Sequence, residues 1–394
     1  IAIIALKRSE LNRDKTTQSE APVRAYLETL KTEIAQLKEI LPSGLRLSRL
    51  HWGGGTPTLL SAEMITDLAG TVLEVIPMAE GGEFSVEIDP NEIDEGRIKA
   101  LADAGMNRAS IGVQDFDPEI QKVIGRIQSY ELTRDAAEMI RSHGITSLNA
   151  DILYGLPHQT VERIAQSVQK LLTLKPSRVA LYGYAHVPWM AKRQQLIPTD
   201  ALPAPEERLE LYEVARKLFQ ADGYDEIGID HFALPDDGLA VAKRQGKLRR
   251  NFQGYTDDTS KVLIGLGASS ISKFPQGFAQ HASGTSQYTA AVRANQFATV
   301  RDHKFTADDH LRARMIEMIM CEFRIDTAEI LRDFDISRAD LEAMYKKASD
   351  AFEGLPKITA DGFTLPKAAY PLTRMIARSF DAYDLSKAGH SSAV

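Results

Sequence analysis

The sequence has almost no cysteine, since Cys321 is the only one among 394 residues. One thiol excludes a disulfide framework within the chain. It also excludes a four-cysteine zinc site or an iron-sulfur cluster held by this chain alone. Cys321 lies in an apolar stretch between Met320 and Phe323, which is typical of a small buried hydrophobic residue.

Long apolar runs and a surplus of positive charge are missing as well. No stretch reaches the roughly 18 apolar residues of a membrane-spanning helix, and the apolar start at 1–6 is too short for a signal peptide. The 47 lysines and arginines stand against 54 aspartates and glutamates, a net charge of −7. We therefore expect neither nucleic acid nor a membrane as a partner, and we expect a cytoplasmic monomer.

Short β-favouring segments alternate with helical segments through the first 240 residues. Strands are predicted at 45–52, 83–89, 107–113, 148–154, 179–186 and 226–232. Helices are predicted at 25–41, at 62–76 after Ser61, from 119 after Asp117, and at 161–172 after Thr160. Alternation at about 30-residue spacing is typical of parallel strands with crossover helices, in a doubly wound sheet or a (β/α) barrel.

Polar residues at the ends of nearly all predicted strands favour the barrel. They are His51, Glu87, Asp89, Gln114, Asp115, Asp151, Tyr184, His186, Asp230 and His231. Barrels collect functional residues from many strand ends, whereas an open sheet concentrates them at one switch point. We predict an α/β fold with a partial (β/α)6-type TIM-like barrel, although any one of these residues could simply face solvent.

The pattern changes beyond residue 240. A polar loop at 244–259 and a Gly/Ser-rich run at 263–271 lead into a mainly helical region. There, helices at 308–320, 327–334 and 337–352 precede a hairpin at 357–365 that turns on Asp361-Gly362, an arrangement resembling a winged helix. The predicted domains are an N-terminal segment 1–24, a barrel 25–240, a barrel extension 241–301 and a C-terminal helical domain 302–394. We expect the last to pack on or cover the barrel.

The most distinctive motif is Gly53-Gly54-Gly55-Thr56-Pro57-Thr58, which follows a predicted strand. Three glycines let a ligand approach main-chain N–H and C=O groups closely. The motif is neither a Walker loop nor a dinucleotide fingerprint. Its carbonyl groups could accept from an ammonium group as readily as its amides could bind an anion, and a structural tight turn is the alternative.

Carboxylates form the second group of candidates. Glu87 and Asp89 lie two apart on a predicted strand and so share a face. They suit ammonium or hydroxyl recognition or acid-base work, or else an ion pair with Arg108 or Lys99. Asp151 interrupts an apolar strand and needs a partner there, which favours a functional role.

Seven motifs occur in a characteristic order. They are His51-Trp-Gly-Gly-Gly-Thr-Pro-Thr58, Ser85-Val-Glu-Ile-Asp-Pro90, Gly112-Val-Gln-Asp-Phe116, Asn149-Ala-Asp-Ile-Leu-Tyr-Gly-Leu-Pro157, Tyr184-Ala-His-Val-Pro188, Asp230-His-Phe-Ala233 and Asn251-Phe-Gln-Gly-Tyr-Thr256. In order and spacing they resemble the oxygen-independent coproporphyrinogen III oxidases of the radical S-adenosylmethionine superfamily. Related haem chaperones usually carry Ser at the place of Asp115 and Asn-x-x-Tyr-Trp at the place of 251–256, so both positions favour the oxidase.

The resemblance implies two oxidative decarboxylations in haem biosynthesis. A [4Fe-4S] cluster would cleave S-adenosylmethionine reductively to a 5′-deoxyadenosyl radical, which takes a hydrogen from a propionate β-carbon of coproporphyrinogen III. Loss of CO2 and an electron leaves a vinyl group, and two such steps give protoporphyrinogen IX. The implied partners are the tetrapyrrole and an unidentified electron donor. The alternatives are a haem chaperone and a non-catalytic relative that binds a tetrapyrrole or S-adenosylmethionine.

The resemblance also implies ten residues that bind a cosubstrate or the substrate. It identifies no catalytic residue and no metal ligand in this chain. Those expected to hold S-adenosylmethionine are Gly54, Gly55 and Thr56 at its methionyl end, Glu87, Gln114 and Asp151 at its polar groups, and the backbone near Ala185 at its adenine. Those expected to line the neighbouring space, for a second S-adenosylmethionine or for propionates, are Arg126, Gln253 and Ile271.

One departure from the family is serious. The family binds its cluster through Cys-x3-Cys-x2-Cys and one further Cys, on a loop before the helix predicted at 25–41, and this sequence has no cysteine there. Either the loop is missing from the chain as given, at a gap between about Leu6 and Thr17, or the chain is a relative without a cluster. We favour the missing loop, because the polar rim residues would have little reason to persist together in an inactive barrel. The chain as given is predicted to be inactive.

Overall fold

The computed structural model describes residues 1–6, 20–189 and 191–383, so the predicted gap after Leu6 lies almost entirely outside the described residues. The strands are β1 (Ala2–Ala5), β2 (Leu47–Gly53), β3 (Met78–Ile88), β4 (Arg108–Gln114), β5 (Ser147–Tyr154), β6 (Arg178–Gly183), β7 (Asp225–Ile227), β8 (His231–Ala233), β9 (Arg249–Asn251), β10 (Gly254–Thr256), β11 (Ile264–Leu266), β12 (Ile271–Phe274), β13 (Gly277–His281), β14 (Thr299–Lys304), β15 (Arg324–Asp326), β16 (Lys357–Thr359) and β17 (Gly362–Thr364). The helices are α1 (Ala21–Ile40), α2 (Ala62–Val75), α3 (Glu95–Asp103), α4 (Pro118–Val123), α5 (Tyr130–Ser142), α6 (Val161–Thr173), α7 (Pro205–Ala221), α8 (Gly238–Arg244), α9 (Thr285–Arg293), α10 (Ala307–Glu322), α11 (Thr327–Asp333), α12 (Arg338–Asp350) and α13 (Thr373–Arg378). In this part of the chain no helix combines the length and the apolar character needed to span a membrane.

The largest sheet has nine strands in the order β11-β1-β2-β3-β4-β5-β6-β8-β7. The pairs from β11 to β4 are parallel, with Ala2 opposite Leu50 and Trp52 opposite Val86. The pairs β6–β8 and β7–β8 are antiparallel. Helices connect the parallel strands, so the predicted α/β fold is confirmed.

The chain forms two compact units that interleave along the sequence. The first unit comprises Ile1–Val113, Gln128–Ala150 and Asp258–Phe305, and the second comprises Gln114–Ile127, Asp151–Asp257 and 306–383. The predicted domain boundaries at 25, 241 and 302 stay a prediction.

The predicted helix caps are confirmed. Ser61 Oγ accepts from the Met64 N–H, and Thr160 Oγ1 accepts from the Arg163 N–H. Asp117 accepts from two N–H groups at the start of α4. These side chains satisfy backbone donors that have no partner within the first helical turn, and they fix where each helix begins after its strand.

The prediction of one strand at 226–232 is wrong. β7 and β8 pair as an antiparallel hairpin around Gly228, whose φ is +58°. A Cβ atom at Gly228 would lie 2.0 Å from Cζ of Tyr255, and the Tyr255 hydroxyl accepts from the Ile229 N–H at 3.1 Å. The chain therefore turns where the tyrosine ring occupies the space that a continuing strand would need.

The prediction of mainly helical structure after 263–271 is also wrong for the stretch before residue 306. β12, β13 and β14 form an antiparallel sheet there. Its strands are short and lack strict alternation of polar and apolar residues, the pattern on which a strand prediction depends. The predicted hairpin on Asp361-Gly362 is confirmed as β16 and β17, which join β15 in a three-stranded sheet.

A buried carboxylate organises the first unit. Glu33 of α1 is fully buried, and its Oε2 accepts from the Gly267 N–H at 2.8 Å and the Tyr288 O–H at 2.7 Å. Its Oε1 lies 3.1 Å from His281 Nδ1. Burial raises the pKa of Glu33, an effect that His281, Tyr288 and the Gly267 N–H oppose. One side chain thus ties α1 to the Gly/Ser-rich run, β13 and α9.

We expect Glu33→Ala to destabilise the protein by roughly 3 to 5 kcal/mol, because it leaves the Tyr288 hydroxyl and the Gly267 N–H buried without their acceptor. Urea unfolding followed by circular dichroism measures the change. Glu28→Ala on the same helix is the matched control. Glu28 is exposed and 3.6 Å from Lys31 Nζ, so its loss should cost less than about 1 kcal/mol. Equal costs for the two variants would contradict the assignment.

Candidate functional site

The triple-glycine loop is bound tightly to the end of β1 in the first unit. The Leu6 N–H donates to the Gly53 carbonyl at 2.8 Å, and the Thr56 N–H donates to the Leu6 carbonyl at 3.1 Å. Gly54 has a φ of +73°, and a Cβ atom there would lie 3.2 Å from Cβ of Ala5. Gly54 and Gly55 are exposed while Thr56 is buried, so the loop presents bare backbone to a ligand.

A carboxylate lies directly above this loop. Glu87, near the end of β3, is 43% exposed at its side chain, and its Oε1 is 3.6 Å from His51 Nε2. His51 Nδ1 lies 2.9 Å from the Ser85 hydroxyl. A Cβ atom at Gly53 would lie 2.6 Å from the Glu87 carboxylate and 2.4 Å from His51 Nε2. Gly53 therefore makes room for an acid-histidine pair that the sequence pattern gave only as separate strand-end residues.

Asp89 lies in a different environment from Glu87. It is buried, and its Oδ1 accepts from the Asn91 N–H in the turn after β3. Of the two cations considered for these carboxylates, Arg108 donates to Glu83 at 2.7 Å and Lys99 to Asp103 at 2.6 Å. Glu87 is thus the member of the predicted pair that lies at the loop.

Ile271, the other predicted site residue of the first unit, begins β12. A Cβ atom at Gly265 of β11 would lie 2.6 Å from the Ile271 carbonyl oxygen. Gly265 therefore allows β11 and β12 to approach closely at this point.

In the second unit, a buried carboxylate follows the predicted site residue Gln114. Gln114 ends β4 with a φ of +67°, in the left-handed region that few non-glycine residues adopt. Asp115 is fully buried and accepts from the Asp117 N–H, the Ser167 O–H and Gln159 Nε2, each at 2.7 Å. Burial raises the pKa of Asp115, and these donors reduce the rise.

The same network extends to the loop after β5 and to α4. Gln159 Oε1 accepts from the Gly155 N–H at 2.7 Å. Gln121 of α4 donates to the Asp115 carbonyl at 2.8 Å, and the Arg126 N–H donates to the Gln121 carbonyl at 2.9 Å. The network around Asp115 thus connects the end of β4 at Gln114, the turn after α4 at Arg126 and the loop after β5, the strand that carries Asp151.

Asp151 is half-buried on β5, and its charge acts on Tyr182 of β6. Burial, with the charges of Asp151 and Asp230, raises the pKa of the Tyr182 hydroxyl. That hydroxyl lies 3.4 Å from His231 Nε2, and His231 Nδ1 lies 2.6 Å from Asp230 Oδ1. Arg374 of α13 donates to the other oxygen of Asp230.

The Asp230-His231 pair was predicted only as polar residues at a strand end. Burial alone would raise the pKa of Asp230, but the hydrogen bond and charge of His231, together with Arg374, hold it below its ordinary value. The carboxylate at Nδ1 favours the tautomer in which Nε2 accepts from Tyr182. Asp230 and His231 are adjacent in sequence, so their pairing could have been predicted. Arg374 is 144 residues away from Asp230, and no local sequence pattern indicates that contact.

The last two predicted residues are exposed. The Ala185 carbonyl, just beyond β6, accepts from Gln194 Nε2 at 3.0 Å. Gln253 lies at the tip of the β9–β10 hairpin, where its N–H donates to Asn251 Oδ1 at 2.8 Å. The two residues belong to separate loops of the second unit.

Comparison with known proteins identifies the family. The family model for the radical SAM superfamily matches residues 12–171. The oxygen-independent coproporphyrinogen III oxidase of Paracoccus denitrificans is 61% identical over 382 residues, which are 97% of this chain and 85% of that protein. The chain belongs to the oxygen-independent coproporphyrinogen III oxidase family.

A second relative and a solved structure support the same family assignment. The oxygen-independent coproporphyrinogen III oxidase of Cereibacter sphaeroides is 54% identical over 374 residues, 95% of this chain and 83% of that protein. The solved structure of coproporphyrinogen III oxidase from Escherichia coli, described as a radical SAM enzyme, aligns with a TM-score of 0.91 at 34% identity. That alignment covers 97% of this chain and 90% of the other. The family resemblance predicted from the seven motifs is confirmed.

The cysteine content of this chain does not fit the cluster that the radical SAM family implies. Such clusters are held by cysteine thiolates. Cys321 is 2% exposed in α10, and burial raises its pKa to about 12, as expected for a hydrophobic core residue. Among the described residues, no group of three or more His, Cys, Asp or Glu could hold a metal ion.

We expect Asp115→Asn to destabilise this family member by about 1–3 kcal/mol. An Asn amide would face Gln159 Nε2 donor to donor, and Gln159 cannot turn because its Oε1 already accepts from Gly155. Since the folded-state pKa of Asp115 is raised, the contribution of this residue to wild-type stability falls as the pH rises from the ordinary value of 3.8 through the folded-state pKa. The stability gap between the two proteins should therefore be widest in acid and narrow toward neutral pH.

Urea unfolding at several pH values measures this gap. The control is Asp135→Asn on α5, where the exposed Asp135 pairs with neighbouring Arg134. This variant should change stability by less than about 1 kcal/mol at every pH. A gap between wild type and Asp115→Asn that widened with rising pH would contradict the assignment.

Proposed function

We propose that this protein is an oxygen-independent coproporphyrinogen III oxidase of haem biosynthesis, which converts two propionates of coproporphyrinogen III to vinyl groups and yields protoporphyrinogen IX. The observation that carries the proposal is the 61% identity over 97% of the chain with a relative of that name. Each conversion removes a hydrogen atom from the propionate β-carbon, CO2 from the carboxylate and one electron, and it leaves a carbon-carbon double bond.

The first unit supports a role in holding S-adenosylmethionine. When bound, that cosubstrate supplies the group that abstracts hydrogen. Its ammonium and sulfonium groups are cationic, and the loop offers exposed backbone at Gly54 and Gly55 with the half-exposed Glu87 carboxylate above it. We assign Gly54, Gly55 and Thr56 to the methionyl end. His51, which contacts Ser85 through Nδ1, lies 3.6 Å from Glu87 through Nε2 and can orient that carboxylate.

The remaining predicted residues are assigned by family likeness. Gln114, Asp151 and the backbone at Ala185 are proposed to contact polar groups and adenine of S-adenosylmethionine. Arg126, Gln253 and Ile271 are proposed to line space for a second S-adenosylmethionine or for propionates. The left-handed backbone at Gln114 and the buried Asp115 network support a fixed position for Gln114 and Arg126.

We also propose that the 394-residue chain is inactive without the family's cluster cysteines. The test replaces residues 7–19 with the corresponding loop of the Paracoccus denitrificans relative and reconstitutes both proteins anaerobically. With dithionite, S-adenosylmethionine and coproporphyrinogen III, the chimaera should bind iron and form 5′-deoxyadenosine and protoporphyrinogen IX. The unaltered chain should do none of these.

Three outcomes of these experiments would count against the proposals. Haem transfer by the chimaera without decarboxylation would favour a haem chaperone. Turnover by the unaltered chain would refute its proposed inactivity. A chimaera that binds iron and cleaves S-adenosylmethionine without consuming the tetrapyrrole would retain the superfamily chemistry but refute the substrate.

We expect Glu87→Gln to weaken S-adenosylmethionine binding about tenfold, because it removes a charged acceptor for the ammonium group. Asp151→Asn should act in the same direction. Isothermal titration calorimetry measures S-adenosylmethionine affinity for each variant, made in the 394-residue chain without the loop replacement. Glu95→Gln is the matched control, since Glu95 also contacts a histidine, His143, at 3.2 Å but lies outside the glycine loop. Unchanged affinity in Glu87→Gln would remove that residue from the site.

A further inference from the structure

One arginine of the second unit has no anionic partner in the part of the chain that the structure describes. The guanidinium of Arg208, in α7, forms no hydrogen bond or ion pair with any residue that the structure describes, and its Nε is shielded from solvent. By contrast, Arg216 on the same helix contacts Glu213 at 2.8 Å and Glu226 at 2.9 Å. A buried guanidinium N–H without an acceptor costs free energy. Such a side chain can bind an anion that none of the described residues supplies.

Two glycines provide the space in which this guanidinium lies. A Cβ atom at Gly155, just after β5, would lie 2.8 Å from Arg208 Nη1, and one at Gly183, the last residue of β6, would lie 3.2 Å from Nη2. Arg208 Cζ also lies 5.8 Å from the centroid of the Tyr154 ring. Shape and a cation-π contact, rather than an ion pair, therefore hold the guanidinium at the ends of two strands.

The chemistry of the proposed site indicates which anion binds. A guanidinium pairs with a carboxylate through two parallel hydrogen bonds. The proposed ligands offer two carboxylate sources, the tetrapyrrole propionates and the methionyl group of S-adenosylmethionine. Ala185, the proposed adenine contact, is two residues beyond Gly183, and adenine carries no anion. This favours a propionate at Arg208.

We infer that Arg208 binds a propionate of the tetrapyrrole, and specifically one that the reaction leaves intact. The inference rests on the proposed function. An arginine that stabilises a carboxylate in the ground state would oppose its conversion to neutral CO2, so it would slow decarboxylation of the propionate it holds. Arg208 is thus a substrate-positioning and specificity residue.

Arg208→Gln tests the inference in binding measurements. Fluorescence titration with coproporphyrin III, the oxidised and unreactive form of the substrate, should show about tenfold weaker binding. The tetramethyl ester, which lacks carboxylates, should bind wild type and variant equally. Lys217→Gln removes one positive charge from an exposed position of the same helix and should leave both affinities unchanged. Arg208→Lys keeps the positive charge but cannot form two parallel hydrogen bonds with a carboxylate. Its affinity for coproporphyrin III should lie between those of wild type and Arg208→Gln.

In the cluster-bearing chimaera, Arg208→Gln should raise KM for coproporphyrinogen III about tenfold with kcat nearly unchanged. Unchanged affinity for coproporphyrin III would overturn the inference, and a loss of thermal stability alone would assign Arg208 to packing on Tyr154. Weakened binding of S-adenosylmethionine in calorimetry, with normal porphyrin affinity, would assign the methionyl carboxylate instead. If wild type itself failed to bind coproporphyrin III, the proposed function would fail first.

Discussion

The candidate site of the first unit depends on the insertion of β1 between two parallel neighbours. All four residues of β1 are buried, and they pair with β11 on one side and β2 on the other. Leu6, just beyond the end of β1, donates its N–H to the Gly53 carbonyl and accepts from the Thr56 N–H with its own carbonyl, so it holds both ends of the glycine loop. A side chain at Gly54 would press on Ala5, so the bare backbone of the loop follows directly from how closely the strand and loop approach.

The glycines of this protein show how a sequence pattern becomes a site. Gly53, Gly155 and Gly183 lie at strand ends, and each leaves room for a charged group: the Glu87 carboxylate at the first and the Arg208 guanidinium at the other two. At Gly53 and Gly183 the absent Cβ atom matters for the space it leaves, since a larger residue would displace the charged group. Gly155, whose φ is +80°, needs the backbone freedom of glycine as well.

The sequence predicted the features that depend on local pattern. The strand ends, the capped helices and the residues around the glycine loop follow from short-range chemistry. The hairpin at Gly228 could not be predicted, because it depends on Tyr255, a residue that reaches it only in the folded chain. For the same reason, the links from Glu33 to His281 and from Asp230 to Arg374 left no trace in local sequence. Arg208 lies in a helical stretch whose sequence gives no sign of a binding residue. Its proposed role was inferred from the folded structure, where its guanidinium has no partner among the described residues.

Cys321 has a consequence for how this protein can be studied. Its thiol is buried in α10, within a small core that includes Leu248 and Tyr255. A thiol reagent can reach it only when that core opens, so the labelling rate under native conditions reports local unfolding around α10. Because the chain holds no other cysteine, this signal comes from one place, and a cysteine introduced at an exposed position could be labelled selectively.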